Sequence, residues 1–384
     1  MQSFPLIAKT LYGLEKVLAS ELEQIGATEI TLLNRAVKYK GTLEVMYKSN
    51  LLLRTAQKIL KPIRTFSVKN EAQLYRLIQT IDWTSLFHAD QTFAVDGTTQ
   101  GKLFTHSKFV ALRTKDAIVD QFRSRFGKRP SVDIEHPDIR INIHIAESRC
   151  TVSMDSSGVQ LGRRGYRAMQ LEAPISETLA AGILLLSQWD RKRPLLDPMC
   201  GSGTFPIEAA MMAANIPPGR LLEFAFENWN DYDDVLWKRV QREADARITP
   251  PQADIRGMDM DIRALKIATQ NARYAGVDKW VQWGLNDFLE QTPNMDPGLL
   301  VINPPYGERL KEKEEIIPFY KEIGTRMKHH YQGWEAWIIS GNVEAIKFIE
   351  LRPARKIKLY NGPLESRLHK YELYKGSRKK EQQR

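Results

Sequence analysis

Residues 194–215, PLLDPMCGSGTFPIEAAMMAAN, read as a short apolar strand, a glycine-rich turn and a helix. Gly201 and Gly203, one residue apart, let backbone approach a ligand closely, and the helix that follows offers free N–H groups at its start. The turn lacks the lysine of a phosphate-binding P-loop, and Pro206 stands where a dinucleotide fingerprint places its third glycine. A nucleotide-like ligand with no pyrophosphate at the loop therefore fits better than NAD or ATP.

Downstream the same alternation repeats. DIRGMDM, WVQWGLN, GLLVINPP and WEAWIIS read as strands, separated by helices such as DIRALKIATQNARYAG and EEIIPFYKEIGTRMKHHY. Such β–α units imply a mostly parallel sheet covered on both faces. The last pair, in ARKIKLYNGPLESRLHKYELYKG, turns at Asn361-Gly362-Pro363 and would add an antiparallel strand. Upstream the pattern is α+β. A strand at 4–9, a helix at 11–26 and alternating segments in TEITLLNR and VKYKGTLEVMY make a first unit, 1–50. Helical patterns at 50–60, 70–79 and 108–127, with strand patterns at 92–97 and 139–154, make a second, 45–158. Residues 159–170, with GRRGYR, read as a linker, and 171–384 as the α/β domain. The charged end SRKKEQQR is expected to fray.

The 384 residues are 42% hydrophobic and 27% charged, which excludes global disorder. Two cysteines cannot build a disulfide framework and suit a reducing compartment. Lys9, Glu15 and Lys16 interrupt the N-terminus before a signal-length apolar run, and no stretch approaches the roughly 20 apolar residues of a membrane span. A soluble cytoplasmic protein is expected. The net charge of +10 divides into +9 over 1–168, −7 over 169–350 and +8 over 351–384. Two basic ends would draw a polyanion such as a nucleic acid. The seven histidines form no ligand spacing with Cys or carboxylates, so no metal site is expected.

In parallel sheets of this kind, ligands bind at the carboxyl ends of the strands. The first end carries Asp197, Cys200, Gly201, Gly203 and Thr204. The second carries Asp259 and Asp261: a carboxylate here can accept from ribose hydroxyls, while the other caps the next helix, and Asp259 is favoured for the ligand. At the third, Asp287 or the neighbouring Asn286 amide could meet an adenine amino group. The fourth reads Asn303-Pro304-Pro305-Tyr306. Its prolines remove two N–H donors, so the Asn303 oxygen and the Pro304 carbonyl remain as two acceptors. They suit the hydrogens of a ring-conjugated NH2, whose lone pair they would make available, and Tyr306 offers a face for stacking. Cys200 could instead be a nucleophile, but its place in the ligand loop favours a packing or contact role.

DPMCGSGT, GMDMD and NPPYGERL resemble class I S-adenosylmethionine-dependent methyltransferases of the amino-methylating branch. Residues 1–165 look like a ferredoxin-like unit followed by a THUMP domain, an RNA-binding module. GRRGYR and the helix beginning APISETLAAG are similar to those of THUMP-containing enzymes that methylate guanine N2 in 23S ribosomal RNA. The resemblance implies a class I (Rossmann-like) α/β fold with S-adenosylmethionine as cofactor. Asp197, Cys200, Gly201, Gly203 and Thr204 would border its methionine part, Asp259 its ribose and Asp287 its adenine. Asn303, Pro304, Pro305 and Tyr306 would hold the target base. Arg163, Arg164 and Arg167, with Tyr166 among them, are candidate RNA contacts. The partner implied is 23S ribosomal RNA or a ribosome-assembly intermediate. One departure is the long interval from Gly203 to Asp259, with an excess at about 215–253 that reads as an insertion with its own helix and is expected to pack on the sheet. Rival readings are N6-adenine methylation, which the same four residues would serve, and a non-catalytic RNA-binding assembly factor.

Overall fold

The computed structural model describes residues 2–167, 174–290, 292–307 and 312–375. The end of the 159–170 linker, Glu308-Arg309-Leu310 of NPPYGERL and the SRKKEQQR tail lie outside them. The chain divides into two compact units. One comprises Met1–Thr10, Leu18–Leu161 and Leu222–Glu243; the other Leu11–Val17, Gly162–Leu221 and Ala244–Arg384.

The first unit is built from β1 (Phe4–Thr10), α1 (Glu15–Gln24), β2 (Thr28–Leu33), β3 (Ala36–Gly41), α2 (Leu43–Leu52), β4 (Ala56–Ser67), α3 (Glu71–Gln79), β5 (Phe93–Gln100), α4 (Ser107–Phe126), β6 (Ile139–Ala146) and β7 (Arg149–Asp155). All seven strands join in one sheet, in the order β2-β3-β1-β4-β7-β6-β5. β4 is the seam, pairing antiparallel with β1 on one side and β7 on the other. Every second residue of β6, Ile139 to Ile145, is fully buried, the alternation of a sheet with one packed face.

Two expected elements differ. Residues 43–47, read as the end of an alternating strand, begin α2, because the Thr42 side chain accepts from the Val45 N–H and caps the helix. The helix expected at 50–60 stops at Leu52. The Glu21 carboxylate accepts from the Arg54 and Thr55 amides at 2.8 and 3.0 Å, pinning the chain where it leaves α2 and enters β4. Leu51, Leu53, Ala56, Ile59 and Leu60 are all buried, so an apolar run shared by a helix end and a strand start imitates helical spacing.

The chain continues through α5 (Glu177–Leu186), β8 (Leu195–Asp197), α6 (Thr204–Ala213), α7 (Asp234–Asp245), β9 (Ile255–Asp259), α8 (Ile262–Tyr274), β10 (Gln282–Leu285), β11 (Leu299–Ile302), α9 (Glu312–His330), β12 (Glu335–Ser340), β13 (Arg355–Asn361) and β14 (Leu364–Glu372). The second sheet runs β10-β9-β8-β11-β12-β14-β13. Its five central and outer strands from β10 to β12 are parallel, and β14 runs against both neighbours. All four residues of β11 are buried, at roughly 1.5–3 kcal/mol for each such side chain, because helices cover both faces. Leu195, Val301 and Ile339 pack on one face, Leu196, Leu300 and Ile338 on the other.

The insertion departs from expectation. Its stretch Leu222–Glu243 belongs to the first unit, not to the parallel sheet. Phe226 stacks on Tyr47 of α2 at 4.4 Å between ring centres, and Trp237 meets both rings edge-on. The aromatic residues that suggested a sheet-packing insertion instead fill an apolar cluster against α2.

Candidate active site

The turn after β8 is held from below by the next strand. The Cys200 amide donates to the Met258 carbonyl at 2.8 Å, and the Gly201 amide to Asp259 Oδ2 at 2.8 Å. Asp259 Oδ1 accepts from the Asp261 amide at 2.9 Å. Each Asp259 oxygen thus takes one backbone hydrogen bond and keeps a lone pair for a ligand hydroxyl. Asp261 accepts from the Arg263 amide as the cap of α8 and pairs with the Arg263 guanidinium. Gly203 caps the start of α6 with φ +83°, where a Cβ would lie 2.7 Å from the Trp283 ring and 2.9 Å from Ala268. Glycine is required there by packing as well as by any ligand.

Asp197 is buried and accepts from the Met199 amide at 3.2 Å. Burial, helped by the charge of Asp259, pushes its carboxyl well above the usual range. The Cys200 thiol is raised well above its ordinary value by burial, then by Asp197 and Asp259, which leaves it protonated and unsuited to nucleophilic attack. At the third strand end, Asp287 Oδ1 is engaged by the Leu289 amide of its own turn. The neighbouring Asn286 donates to Met258 Sδ and leaves its own Oδ1 buried without a partner among the described residues. Of the two candidates there, the amide is the one with a buried unpartnered acceptor among the described residues.

At the end of β11 the Tyr306 hydroxyl donates to Asn303 Oδ1 at 2.6 Å. The carbonyls after Pro304 are tied down: that of Pro305 accepts from Tyr320 at 3.3 Å, that of Tyr306 from Asn342 Nδ2 at 2.9 Å. The Pro304 carbonyl accepts no hydrogen bond among the described residues. One lone pair of Asn303 and the Pro304 carbonyl therefore stay available at this strand end. Tyr320, Ser340 and Asn342 were not foreseen. Tyr320 and the Ser340 hydroxyl share a 2.6 Å bond, and the Asn342 amide donates to Ser340 at 3.0 Å. At Gly341 a Cβ would stand 2.9 Å from the Tyr306 ring. Ser340-Gly341-Asn342 is itself the end of a fifth parallel strand, and the rule that picked out the other four would have found it.

The expected RNA contacts need correction. Arg163 is exposed, but Arg164 and Tyr166 are each 1% exposed and turn inward to Glu208, which accepts from the Tyr166 hydroxyl at 3.1 Å and lies 3.5 Å from Arg164 Nε. Arg167 is mostly buried against Glu177 and Thr204. The Arg164 guanidinium, sealed against a carboxylate, is not offered to a phosphate, and the anions that meet Arg164 and Arg167 lie 10 to 44 positions away in sequence.

Among the described residues no group of His, Cys, Asp and Glu could hold a metal ion, and no helix is long and apolar enough to cross a membrane. The donor set fits S-adenosylmethionine. Two carboxylates suit a ligand carrying a sulfonium, an ammonium and two ribose hydroxyls, and the orphaned Asn286 oxygen suits an adenine amino group.

With β14 alone set against its neighbours and a glycine turn bonded to the acid of the adjacent strand, the second unit has the Rossmann-like fold of class I methyltransferases. Comparison with known proteins agrees. Residues 164–370 match the RMKL-like methyltransferase domain, 68–155 the THUMP domain and 5–60 the RlmL ferredoxin-like domain. The chain belongs to the RMKL-like methyltransferase family. It is 39% identical over 372 residues to a Synechocystis sp. protein provisionally named an RNA methyltransferase, covering 96% of this chain and 97% of that one. It is 41% and 40% identical to the ribosomal RNA large subunit methyltransferases K/L of Syntrophotalea carbinolica and Methylococcus capsulatus. Both alignments cover 94% of this chain, which spans only 52% and 50% of those proteins. Among solved structures, one of a provisionally described methyltransferase complexed with SAH is 33% identical, with a TM-score of 0.88, covering 98% of this chain and 100% of that one. A Listeria monocytogenes protein described as a predicted N6-adenine-specific DNA methylase is 29% identical, with a TM-score of 0.86, covering 98% and 97%.

Proposed function

We propose that the protein transfers the methyl group of S-adenosylmethionine to the exocyclic N2 of a guanine in 23S ribosomal RNA. The carrying observation is the strand end at Asn303–Tyr306, where the carbonyls of Pro305 and Tyr306 are bonded and that of Pro304 has no partner among the described residues. The bound cofactor supplies an electrophilic methyl on a sulfonium. Asp259 would hold its ribose and Asp197 its positive end. Asn303 Oδ1 and the Pro304 carbonyl accept the two hydrogens of the target amine and direct its lone pair at the methyl carbon. The Tyr306 ring stacks on the base, its hydroxyl leaving Asn303 as the amine arrives. Transfer would leave the target nitrogen positively charged, its extra proton passing to solvent, so the chain's own contribution is positioning and electrostatics.

An RNA substrate is supported by the THUMP match, by the names of the relatives and by the +9 charge of residues 1–168. Large-subunit ribosomal RNA as the target is supported by the names of the K/L relatives, and a cytoplasmic place of work goes with that reading. Guanine N2 rather than adenine N6 is the reading that the resemblance of GRRGYR and APISETLAAG supports. The test is to incubate the purified protein and labelled S-adenosylmethionine with ribosomal RNA from a strain lacking the gene, then to analyse nucleosides. Label in N2-methylguanosine is the expected result. Label in N6-methyladenosine would select the adenine reading, and no transfer to RNA or to assembly intermediates would select a binding factor.

A further inference from the structure

Arg167 lies in none of the strand ends, yet it reaches the cofactor turn. Its Nη2 donates to Thr204 Oγ1 at 2.9 Å and to the Ile175 carbonyl at 3.0 Å, and its Nε lies 3.2 Å from Glu177 Oε1. These contacts fix the guanidinium plane on two of its edges. Nη1 makes no hydrogen bond among the described residues and, unlike Nε, is not sealed from solvent. Thr204 is the first residue of α6, so the fixed cation stands beside that helix's N-terminus. Both the helix end and the cation favour an anion there. Arg167 is also the only cationic side chain hydrogen-bonded to residues 200–204 among the described residues.

The ligand expected at this turn has one anionic group, the α-carboxylate of its methionine part. Asp259 would repel that carboxylate, and among the described residues Arg167 is the cationic side chain hydrogen-bonded to this turn. We propose that Arg167 binds the cofactor's carboxylate through Nη1, with Thr204, Ile175 and Glu177 holding the guanidinium in place. This rests on S-adenosylmethionine being the donor. The residue read as an RNA contact in the sequence thereby becomes a cofactor contact, and a planar fork held on two edges is a role lysine cannot reproduce.

The test uses two ligands that share adenosine and thioether. S-adenosylhomocysteine has the amino-acid carboxylate, and 5′-methylthioadenosine does not. Calorimetry on the full chain should show Arg167→Met weakening S-adenosylhomocysteine by about 10- to 100-fold, the scale of one charged hydrogen bond, with 5′-methylthioadenosine changed less than about twofold. Arg167→Lys should give a smaller loss with the same selectivity, and it decides the matter if the methionine variant does not fold. Equal loss of both ligands, or loss of neither, overturns the role of Arg167 and leaves the donor standing. Failure of the wild-type chain to bind S-adenosylhomocysteine overturns the donor itself.

Discussion

Replacing Asn303 by Ala separates the two partners that meet at the end of β11. In the free protein the change removes one half-buried hydrogen bond, from Tyr306 to Asn303 Oδ1 at 2.6 Å, worth about 1 kcal/mol of stability. In the reaction it removes one of two acceptors that hold the target amine. Loss of one preorganised group of that kind costs about 10²- to 10³-fold in rate, or roughly 3–4 kcal/mol. Tyr306→Phe removes the same hydrogen bond but keeps the ring and frees both lone pairs of Oδ1, so transfer should fall less than about fivefold. Tyr306→Ala removes the stacking surface and should cost about 1–3 kcal/mol, read mainly in RNA affinity. Single-turnover transfer of labelled methyl to unmodified ribosomal RNA measures all three, and calorimetry with S-adenosylhomocysteine should find affinity within about twofold of wild type. An equal collapse in Asn303→Ala and Tyr306→Phe would mean that the hydroxyl–carboxamide pair, not the carboxamide, does the work. A fall in cofactor affinity that tracks the fall in transfer would remove Asn303 from the base site altogether.

Asp197 gives a pH signature. Its carboxyl is raised by burial in the free protein, and a ligand ammonium favours the ionised form, so binding releases a proton and S-adenosylhomocysteine affinity rises with pH until the raised pKa is passed. Calorimetry from pH 5 to 8 should show the slope in wild type and none in Asp197→Asn; a flat wild-type profile would refute it. Gly203→Ala must hold a left-handed residue, costing about 1–2 kcal/mol, and crowd Trp283 at 2.7 Å, costing about 1–3 more. Urea unfolding should show the loss and Trp283→Leu should recover part of it, whereas a loss below about 1 kcal/mol would contradict the packing. His369 is buried, its Nδ1 3.1 Å from the Tyr371 hydroxyl, and burial followed by Lys356 and Arg367 pushes its pKa down to about 4. The unfolded chain binds that proton near pH 6.5 and the folded chain does not. Stability should fall as pH drops from about 6.5 to 4, by about 3 kcal/mol in all, and His369→Asn should remove this part of the acid profile.

The parallel sheet was legible because its evidence is local: short apolar runs, glycine turns and capped helices recur within about 30 residues. The hairpin at Asn361-Gly362-Pro363 was legible for the same reason, and β13 and β14 pair from Asn361↔Leu364 onward. The single sheet of the first unit was not, since β4 joins β1 to β7 across about 50 and 90 positions, and no local pattern encodes such pairing. Glu21 shows the same limit. Nothing near Arg54 announces that a carboxylate 33 positions earlier will take its amide and end the helix.

Charge misled for a related physical reason. GRRGYR adds three cations to a basic half, and density alone points outward to a polyanion. Their fate depends on Glu177 and Glu208, which sit in the acidic segment and are apolar-facing members of α5 and α6 by spacing. A buried carboxylate needs a cation nearby or it stays protonated. So the acidic middle of the chain takes up part of the basic end's charge internally, and the arginine that remains half-committed, Arg167, lies where a ligand's carboxylate would arrive. The sign of a segment therefore says less about its partner than the count of its charges left unpaired after folding, and of the four linker candidates only Arg163 remains exposed.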